Sequence, residues 1–397
     1  MCLSDMEEEE ARSFLTRFTD EFPTALEQDT PLPANPLSPK VSLHELHGES
    51  LDLGLRLLSA RGAPPLLASL LCHSAVSELL QSDLSTFHCP LEDEHHTVCE
   101  SQSDALPVLL QSAPVQRLFV NELINAAIRW QQNVPALPAV SRPLVSTHAI
   151  RNARRKMEDK HVVIPHFSQL FGLNDGIQRS YLAVFDGHGG VDSASFAAVH
   201  LHVTLSRQKD LTSDPESAFK QAFTQTDQML QQRAQRERVR SGSTAVAALI
   251  QGQRLLVAWL GDSQALLVRN GTEEEIMDPH KPDRECGFCL GFCLGFSPGD
   301  FDQKPYVSSE ADCCSLELRG DEDYLLLACD GFFDSVRPSA VPRLVLEALR
   351  NLGAGNAGVA QVLVSRAKES GSSDNITVVI MFLRSPREIL RDSASSE

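Results

Sequence analysis

Basic residues are in short supply: 35 lysines and arginines stand against 53 aspartates and glutamates in 397 residues, a formal net charge of −18. So acidic a chain has no general electrostatic attraction to nucleic acid or to an anionic membrane surface, and both are excluded as partners. A long apolar run is also lacking, since no segment reaches the roughly 18 uninterrupted apolar residues of a membrane span. The chain does not open as a secretory leader either, because Met1 to Asp5 runs into Glu7 to Glu10 with neither a basic start nor an apolar stretch. The ten cysteines, at 2, 72, 89, 99, 286, 289, 293, 313, 314 and 329, lack the spacing of a small-domain disulfide framework. These absences predict a globular protein of a reducing compartment, the cytosol with access to the nucleus.

The length exceeds one ordinary domain of roughly 100 to 200 residues, which predicts a large unit and a smaller one. Residues 1–143 read as a helical regulatory or partner-binding extension with acidic linkers. Phe14, Leu15, Phe18 and Phe22 recur at helical spacing after Glu7 to Glu10, and acidic residues suit a helix start because they complement its macrodipole. Leu66, Leu67, Leu70, Leu71, Val76, Leu79 and Leu80 form a second stripe, and Leu118, Phe119, Leu123, Ala127 and Trp130 a third. The stripes predict a small helical bundle, with a dedicated partner groove as the alternative. Proline-rich stretches at 31–39 and 135–143 read as linkers. Between the second and third stripes, His88, Cys89, His95, His96 and Cys99 with Glu92, Asp93 and Glu94 include every ligand type zinc accepts. Their spacing matches no standard finger, so this stretch reads as an acidic linker.

From Ser146 the pattern changes to short β-rich runs separated by helices. Buried strands are predicted at 160–164, 181–185, 244–250, 255–260, 265–268, 324–328 and 376–381. Helices are predicted at 191–207, 215–238, 340–352 and 358–368. Strands in consecutive groups with helices inserted between the groups argue for an α+β sandwich, two sheets covered by helices, rather than a doubly wound parallel sheet. The polar residues 387–397 read as a disordered tail.

Acidic residues fall at the ends of these strands. Asp186 follows Phe185, Asp262 follows Gly261 and Asp330 follows Cys329; Asp374 precedes the last strand and Glu158-Asp159 the first. Carboxylates released beside glycines can converge on one rim of a sandwich, and an oxygen-only ligand set suits hard divalent cations such as Mg²⁺ and Mn²⁺. Each Asp-Gly taken singly is also what a turn requires.

Seven segments then stand in order over about 230 residues: Arg154-Arg155-Lys156-Met157-Glu158-Asp159, Val184-Phe185-Asp186-Gly187-His188-Gly189-Gly190, Ser241-Gly242-Ser243-Thr244-Ala245, Gly261-Asp262-Ser263, Asp278-Pro279-His280-Lys281-Pro282, Leu327-Ala328-Cys329-Asp330-Gly331-Phe332-Phe333-Asp334 and Ser373-Asp374-Asn375-Ile376-Thr377. This series resembles that of the type 2C, Mg²⁺/Mn²⁺-dependent serine/threonine protein phosphatases. With its helical N-terminal extension the chain looks most similar to the calcium/calmodulin-dependent protein kinase phosphatase branch, whose members partner PIX exchange factors.

The resemblance implies a catalytic domain at 144–386 built as a four-layer αββα sandwich of two antiparallel sheets flanked by helices. It implies two Mn²⁺ or Mg²⁺ ions, with Asp186 bridging them and the Gly187 carbonyl, Asp330, Asp374 and Glu158 completing the shells. Asp262 would hold a weaker third ion. Arg154 would fork onto phosphate oxygens, which its planar guanidinium suits. His188 would protonate the departing serine or threonine oxygen, as a group with a pKa near 6.5 can. Implied partners are phosphoprotein substrates, among them calmodulin-dependent and p21-activated protein kinases, and a PIX-type exchange factor for the N-terminal region.

Two other chemistries lack their residues. A cysteine-based phosphatase needs an arginine six positions after its cysteine, where Cys329 has Ser335 and Cys286 has Phe292. A dinucleotide fingerprint needs a third glycine where Asp192 stands. The family pattern breaks after Glu285: residues 286–298 repeat Gly-Phe-Cys-Leu as low complexity, and the pattern resumes at Gly299-Asp300 and Gln303 to Tyr306. The resemblance implies that a few dozen residues are missing there, a strand pair and the flap over the active site. A catalytically impaired, partner-binding variant is therefore the alternative reading.

Overall fold

The computed structural model describes residues 3–89, 108–133, 137–138, 140, 143–280, 292–293, 310–353 and 358–395. They form two compact units, residues 1–140 with 168–174, and residues 141–167 with 175–397.

Four helices carry the first unit: α1 (Leu3–Glu21), α2 (Leu43–Ser59), α3 (Pro65–Gln81) and α4 (Ser112–Gln132). The predicted stripes are their buried faces, with Phe14 and Phe18 on α1, Leu67 and Leu71 on α3, and Phe119 and Leu123 on α4. Leu80, expected in the α3 stripe, is exposed. Helix α2 was not anticipated, although its start is legible as a capping box. There the Ser42 hydroxyl accepts from the Glu45 amide, and the Glu45 carboxylate accepts from the Ser42 amide. Two three-residue strands, β1 (Lys40–Ser42) and β2 (Leu109–Gln111), pair antiparallel. His88 and Cys89 are described, but the rest of the zinc-like stretch lies outside the described residues.

The second unit opens with β3 (Leu144–Ile150) and β4 (Lys160–Ile164), and the chain passes through one helical turn, α5 (Phe167–Leu170). Next come β5 (Arg179–Phe185), the short β6 (Gly187–His188), and helices α6 (Asp192–Ser206) and α7 (Pro215–Glu237). A run of strands follows: β7 (Gly242–Ser243), β8 (Ala245–Gln251), β9 (Arg254–Leu260), β10 (Gln264–Arg269), β11 (Thr272–Glu274) and β12 (Phe292–Cys293). The unit closes with β13 (Asp312–Glu317), β14 (Glu322–Ala328), α8 (Asp330–Phe333), α9 (Val341–Asn351), α10 (Val359–Glu369), β15 (Ile376–Phe382) and α11 (Pro386–Ser395).

Two five-stranded antiparallel sheets result, ordered β11-β10-β14-β15-β3 and β13-β9-β8-β5-β4. Period-2 alternation decides what each face meets. Leu325 and Leu327 of β14, with Val379 and Met381 of β15, join Leu182, Val184, Val246 and Val257 of the other sheet in one core between the sheets. Tyr324, Leu326, Ile380 and Phe382 point the opposite way, against Leu344 and Val345 of α9 and Leu363 of α10. Helices α6 and α7 cover the outer face of the second sheet. Strands buried on both faces read as continuous apolar runs, which is why the sequence located them. The α+β sandwich stands as expected.

The tail is corrected. Residues 386–395 form α11, begun where the Glu388 carboxylate accepts from the Ser385 amide and held by an Arg384–Asp392 ion pair. Ile389 is buried and Leu390 half-buried against the core beneath α9. Two apolar side chains one position apart are a weak signal in a polar run. Within the low-complexity stretch, Phe292–Cys293 pairs with β7, and the remainder of 286–298 lies outside the described residues. No helix among the described residues is long and apolar enough to cross a membrane.

Candidate metal centre

Antiparallel register decides where the acidic residues fall. Phe185, the last residue of β5, lies opposite Lys160, the first of β4, so Asp186 and Asp159 leave the sheet at the same end. Ala245 pairs with Leu260, which brings Gly261-Asp262 to that end too. In the other sheet Gln264 pairs with Ala328, and Ala328 with Val378, so Asp262, Asp330 and Asp374 issue from neighbouring strand ends.

The carboxyls meet. Oxygens of Asp159 and Asp186 and the Cys329 sulfur all lie within 4.8 Å of one another. Burial pushes the Asp186 carboxyl up to about 10, reinforced by the charges of Asp159 and Asp330 and by a hydrogen bond with Asp330. Burial likewise raises Asp330, with Asp262 and Asp374 adding repulsion, and it raises Asp159 to about 6 against the hydrogen bond from Thr377. Thr377 Oγ1 donates to Asp159 Oδ2 at 2.6 Å, while the buried Asp159 Oδ1 has no hydrogen-bond partner among the described residues.

Two glycines permit the approach. A Cβ on Gly187 would sit 2.5 Å from the Glu158 carbonyl oxygen, and one on Gly331 would sit 2.0 Å from that of Asn375. The Asp-Gly pairs thus do more than turn the chain: they let neighbouring backbone come close enough to gather the carboxylates. The Asp186 carbonyl is held by the Thr244 amide at 2.9 Å and the Ser243 hydroxyl at 3.2 Å, which fixes the β5 end against β7.

Arg154 is exposed on the loop between β3 and β4, and its Nη2 donates to Asp374 Oδ2. Glu158 is half-buried, with its amide donating to Asn375 Oδ1 at 2.7 Å. His188 is exposed at the end of β6; its ring lies over Gly242, where a Cβ would be 2.3 Å from Nε2. The Gly261-Asp262 turn is braced by His280, whose amide donates to the Gly261 carbonyl at 2.9 Å and whose Nδ1 accepts from the Gly261 amide at 3.1 Å. His280 Nε2 in turn meets Asp312 Oδ2 at 3.0 Å. The aspartates singled out in the sequence therefore share one rim. Two further side chains line the rim outside the ligand set that the resemblance implies, Asp159 and Cys329. The signal for Asp159 was its place one residue before β4; nothing in sequence marked Cys329, which enters because β14 ends beside β4 and β5.

A sequence model described as "Protein phosphatase 2C" matches residues 144–286 and 297–376. This chain belongs to the protein phosphatase 2C family. Human "Protein phosphatase 1F" is 46% identical over 411 aligned positions, covering 98% of this chain and 90% of the relative. The mouse "Protein phosphatase 1E" is 42% identical over 92% of this chain, which spans 50% of that longer protein. A solved structure titled "Structure of a C.elegans sex determining protein" shares the fold with a TM-score of 0.67 at 23% identity, covering 96% of this chain and 97% of that one. The family match leaves 287–296 out, where the motif series breaks. An alignment of 411 positions is also longer than this chain's 397 residues, so the 1F phosphatase carries residues that are absent here.

Protein phosphatases 2C depend on Mg²⁺ or Mn²⁺, and the rim of this one fits such an ion. Its donors are carboxylate oxygens, the preference of hard cations. One of them, Asp159 Oδ1, is buried without a hydrogen-bond partner among the described residues, and burial, with mutual repulsion added to it, raises Asp186 and Asp330, a strain that a divalent cation relieves.

Proposed function

We propose that this chain hydrolyses phosphoserine and phosphothreonine esters on proteins, using water as the nucleophile and two Mn²⁺ or Mg²⁺ ions. The observation that carries this reading is the convergence of Asp159, Asp186, Asp262, Asp330 and Asp374 at one rim, beside the exposed Arg154 that pairs with Asp374. Asp186, Asp330, Asp374, the Gly187 carbonyl and Glu158 would hold the two ions, and Asp262 a third. When bound, the ions supply Lewis acidity that lets water act as a nucleophile near neutral pH. Arg154 turns its donors toward the phosphate oxygens and orients phosphorus for in-line attack. His188, at the solvent edge, gives a proton to the departing hydroxyl oxygen and regains one from water.

Substrates of the protein kinase class, calmodulin-dependent and p21-activated, and a PIX-type partner for the first unit are supported by the resemblance to the 1F and 1E phosphatases. A signalling role in the cytosol fits free thiols at Cys72, Cys89, Cys313, Cys314 and Cys329. The residues missing against the 1F phosphatase favour a second reading, a catalytically impaired, partner-binding variant. Phosphate release from a phosphothreonine peptide separates the two. Turnover with Mn²⁺ that EDTA and Asp330→Asn each abolish is expected; a folded, monodisperse protein without turnover would leave the binding variant.

A further inference from the structure

The loop that carries Arg154 has no secondary structure of its own between Arg151 and Glu158, and it is held from a distant part of the chain. Four side-chain contacts join it to residues 372–377. Asn152 Nδ2 donates to the Ser372 carbonyl at 2.6 Å, Arg154 pairs with Asp374, and Thr377 donates to Asp159. The fourth contact is Asn375, which grips backbone on both sides of Arg154. Its Nδ2 donates to the Arg151 carbonyl at 2.9 Å and to the Lys156 carbonyl at 3.0 Å, and its Oδ1 accepts from the Glu158 amide at 2.7 Å. The side chain is buried, 5% exposed, with both amide hydrogens and the carbonyl engaged at once.

We propose that Asn375 is a positioning residue for phosphate recognition: it fixes the arc from 151 to 158, so that Arg154 is presented in one geometry. This rests on the reading of Arg154 as the phosphate-binding group. No other residue type supplies two donors and an acceptor on so short a planar group. Aspartate keeps the shape and the bond from Glu158, but turns an acceptor toward the Arg151 and Lys156 carbonyls. Alanine leaves both carbonyls and the Glu158 amide without their partner. Arg154 then samples many positions, and ordering it must be done by the substrate at each encounter.

Two measurements test this on the full chain. Hydrogen exchange of the metal-free protein should show the Glu158 amide exchanging at least about 10-fold faster in Asn375→Ala, with the β15 amides still protected. Kinetics with Mn²⁺ and a phosphothreonine peptide should show kcat/KM falling about 10- to 100-fold, mainly through KM. In an Arg154→Ala background the same substitution should cost less than about 3-fold, because the residue it positions is gone. Equal costs in both backgrounds, or unchanged exchange at Glu158 beside an impaired Arg154→Ala, overturn the proposal while leaving the Arg154 reading intact. An Arg154→Ala variant with unchanged KM removes that reading and this proposal with it. If Asn375→Ala does not fold, Asn375→Ser, which retains one donor, is measured in its place. Loss of cooperative unfolding in both would assign Asn375 to the fold as a whole and overturn a local positioning role.

Discussion

Replacing Asp186 with asparagine is expected to stabilise the metal-free protein while removing its response to metal. Oxygens of Asp159 and Asp186 lie within 4.8 Å, and burial together with the neighbouring carboxylates keeps the Asp186 carboxyl protonated at neutral pH. Asp186 is held up to about 10 in the folded state, against about 3.9 in an unfolded chain. Its burden on stability is absent below about pH 4 and grows as pH rises through the window toward about 10, because only the unfolded state has ionised there. At pH 7 that is about three pH units at about 1.4 kcal/mol each, roughly 4 kcal/mol. Asparagine keeps the shape and can still donate to Asp330, but it does not titrate. A gain of about 3 kcal/mol should raise the thermal midpoint by about 5 to 10 °C for a unit of this size. A Trp130→Phe background leaves Trp259 of β9 as the sole tryptophan reporting on the second unit. In EDTA near pH 7 the Asp186→Asn protein should melt above its parent, and near pH 4 the gap should close. Mn²⁺ at a hundred times its Kd should stabilise the parent by about 2.7 kcal/mol and the variant far less. A variant that melts below its parent in EDTA at neutral pH, or a gap that does not depend on pH, would refute the account of a strained carboxylate cluster. Equal stabilisation by Mn²⁺ would remove Asp186 from the ion site.

Arg154→Ala should raise KM for a phosphopeptide about 10- to 100-fold, the worth of charge-assisted hydrogen bonds to phosphate. Arg154→Lys should recover only part of this in steady-state kinetics, since lysine cannot fork onto two oxygens. Gly331→Ala places a Cβ 2.0 Å from the Asn375 carbonyl oxygen, and should cost about 1 to 3 kcal/mol in a urea titration. An unchanged midpoint would show that the two loops are not in contact there. Ile389→Ala should cost about 2 kcal/mol in the same titration, whereas a truly disordered tail would tolerate it without a change in midpoint.

Much of the second unit was legible in advance because its strands are buried on both faces, so β5, β8, β9, β14 and β15 are uninterrupted apolar runs bounded by glycine and aspartate. Short or half-exposed strands were not legible: β13 has a mixed sequence and only partial burial, and β11 is three residues long. Helix α2 could have been found from its capping box, but its interior carries buried Glu45, Glu49 and Ser50, which interrupt the apolar stripe that marks a helix. Helix α11 is anchored by two apolar side chains and an ion pair, too few to stand out among charged neighbours.

The sequence by itself determined the donors: which carboxylates exist, that each lies at a strand end, and that glycine stands beside three of them. Those are local properties, set by the residue types and by the period-2 pattern of each strand. Whether the donors meet is not local. Asp159 and Asp374 are far apart along the chain and reach one rim only because β4 pairs with β5 and β15 with β14 in a particular antiparallel register. A slip of one residue would turn every side chain of a strand to the opposite face. The grip of Asn375 on the loop of Arg154 spans more than 200 residues, and a side chain that satisfies backbone so distant leaves no pattern in either stretch. Tertiary structure decided these contacts because hydrogen bonding and charge repulsion depend on distances of a few ångströms, which only the stacking of the two sheets fixes.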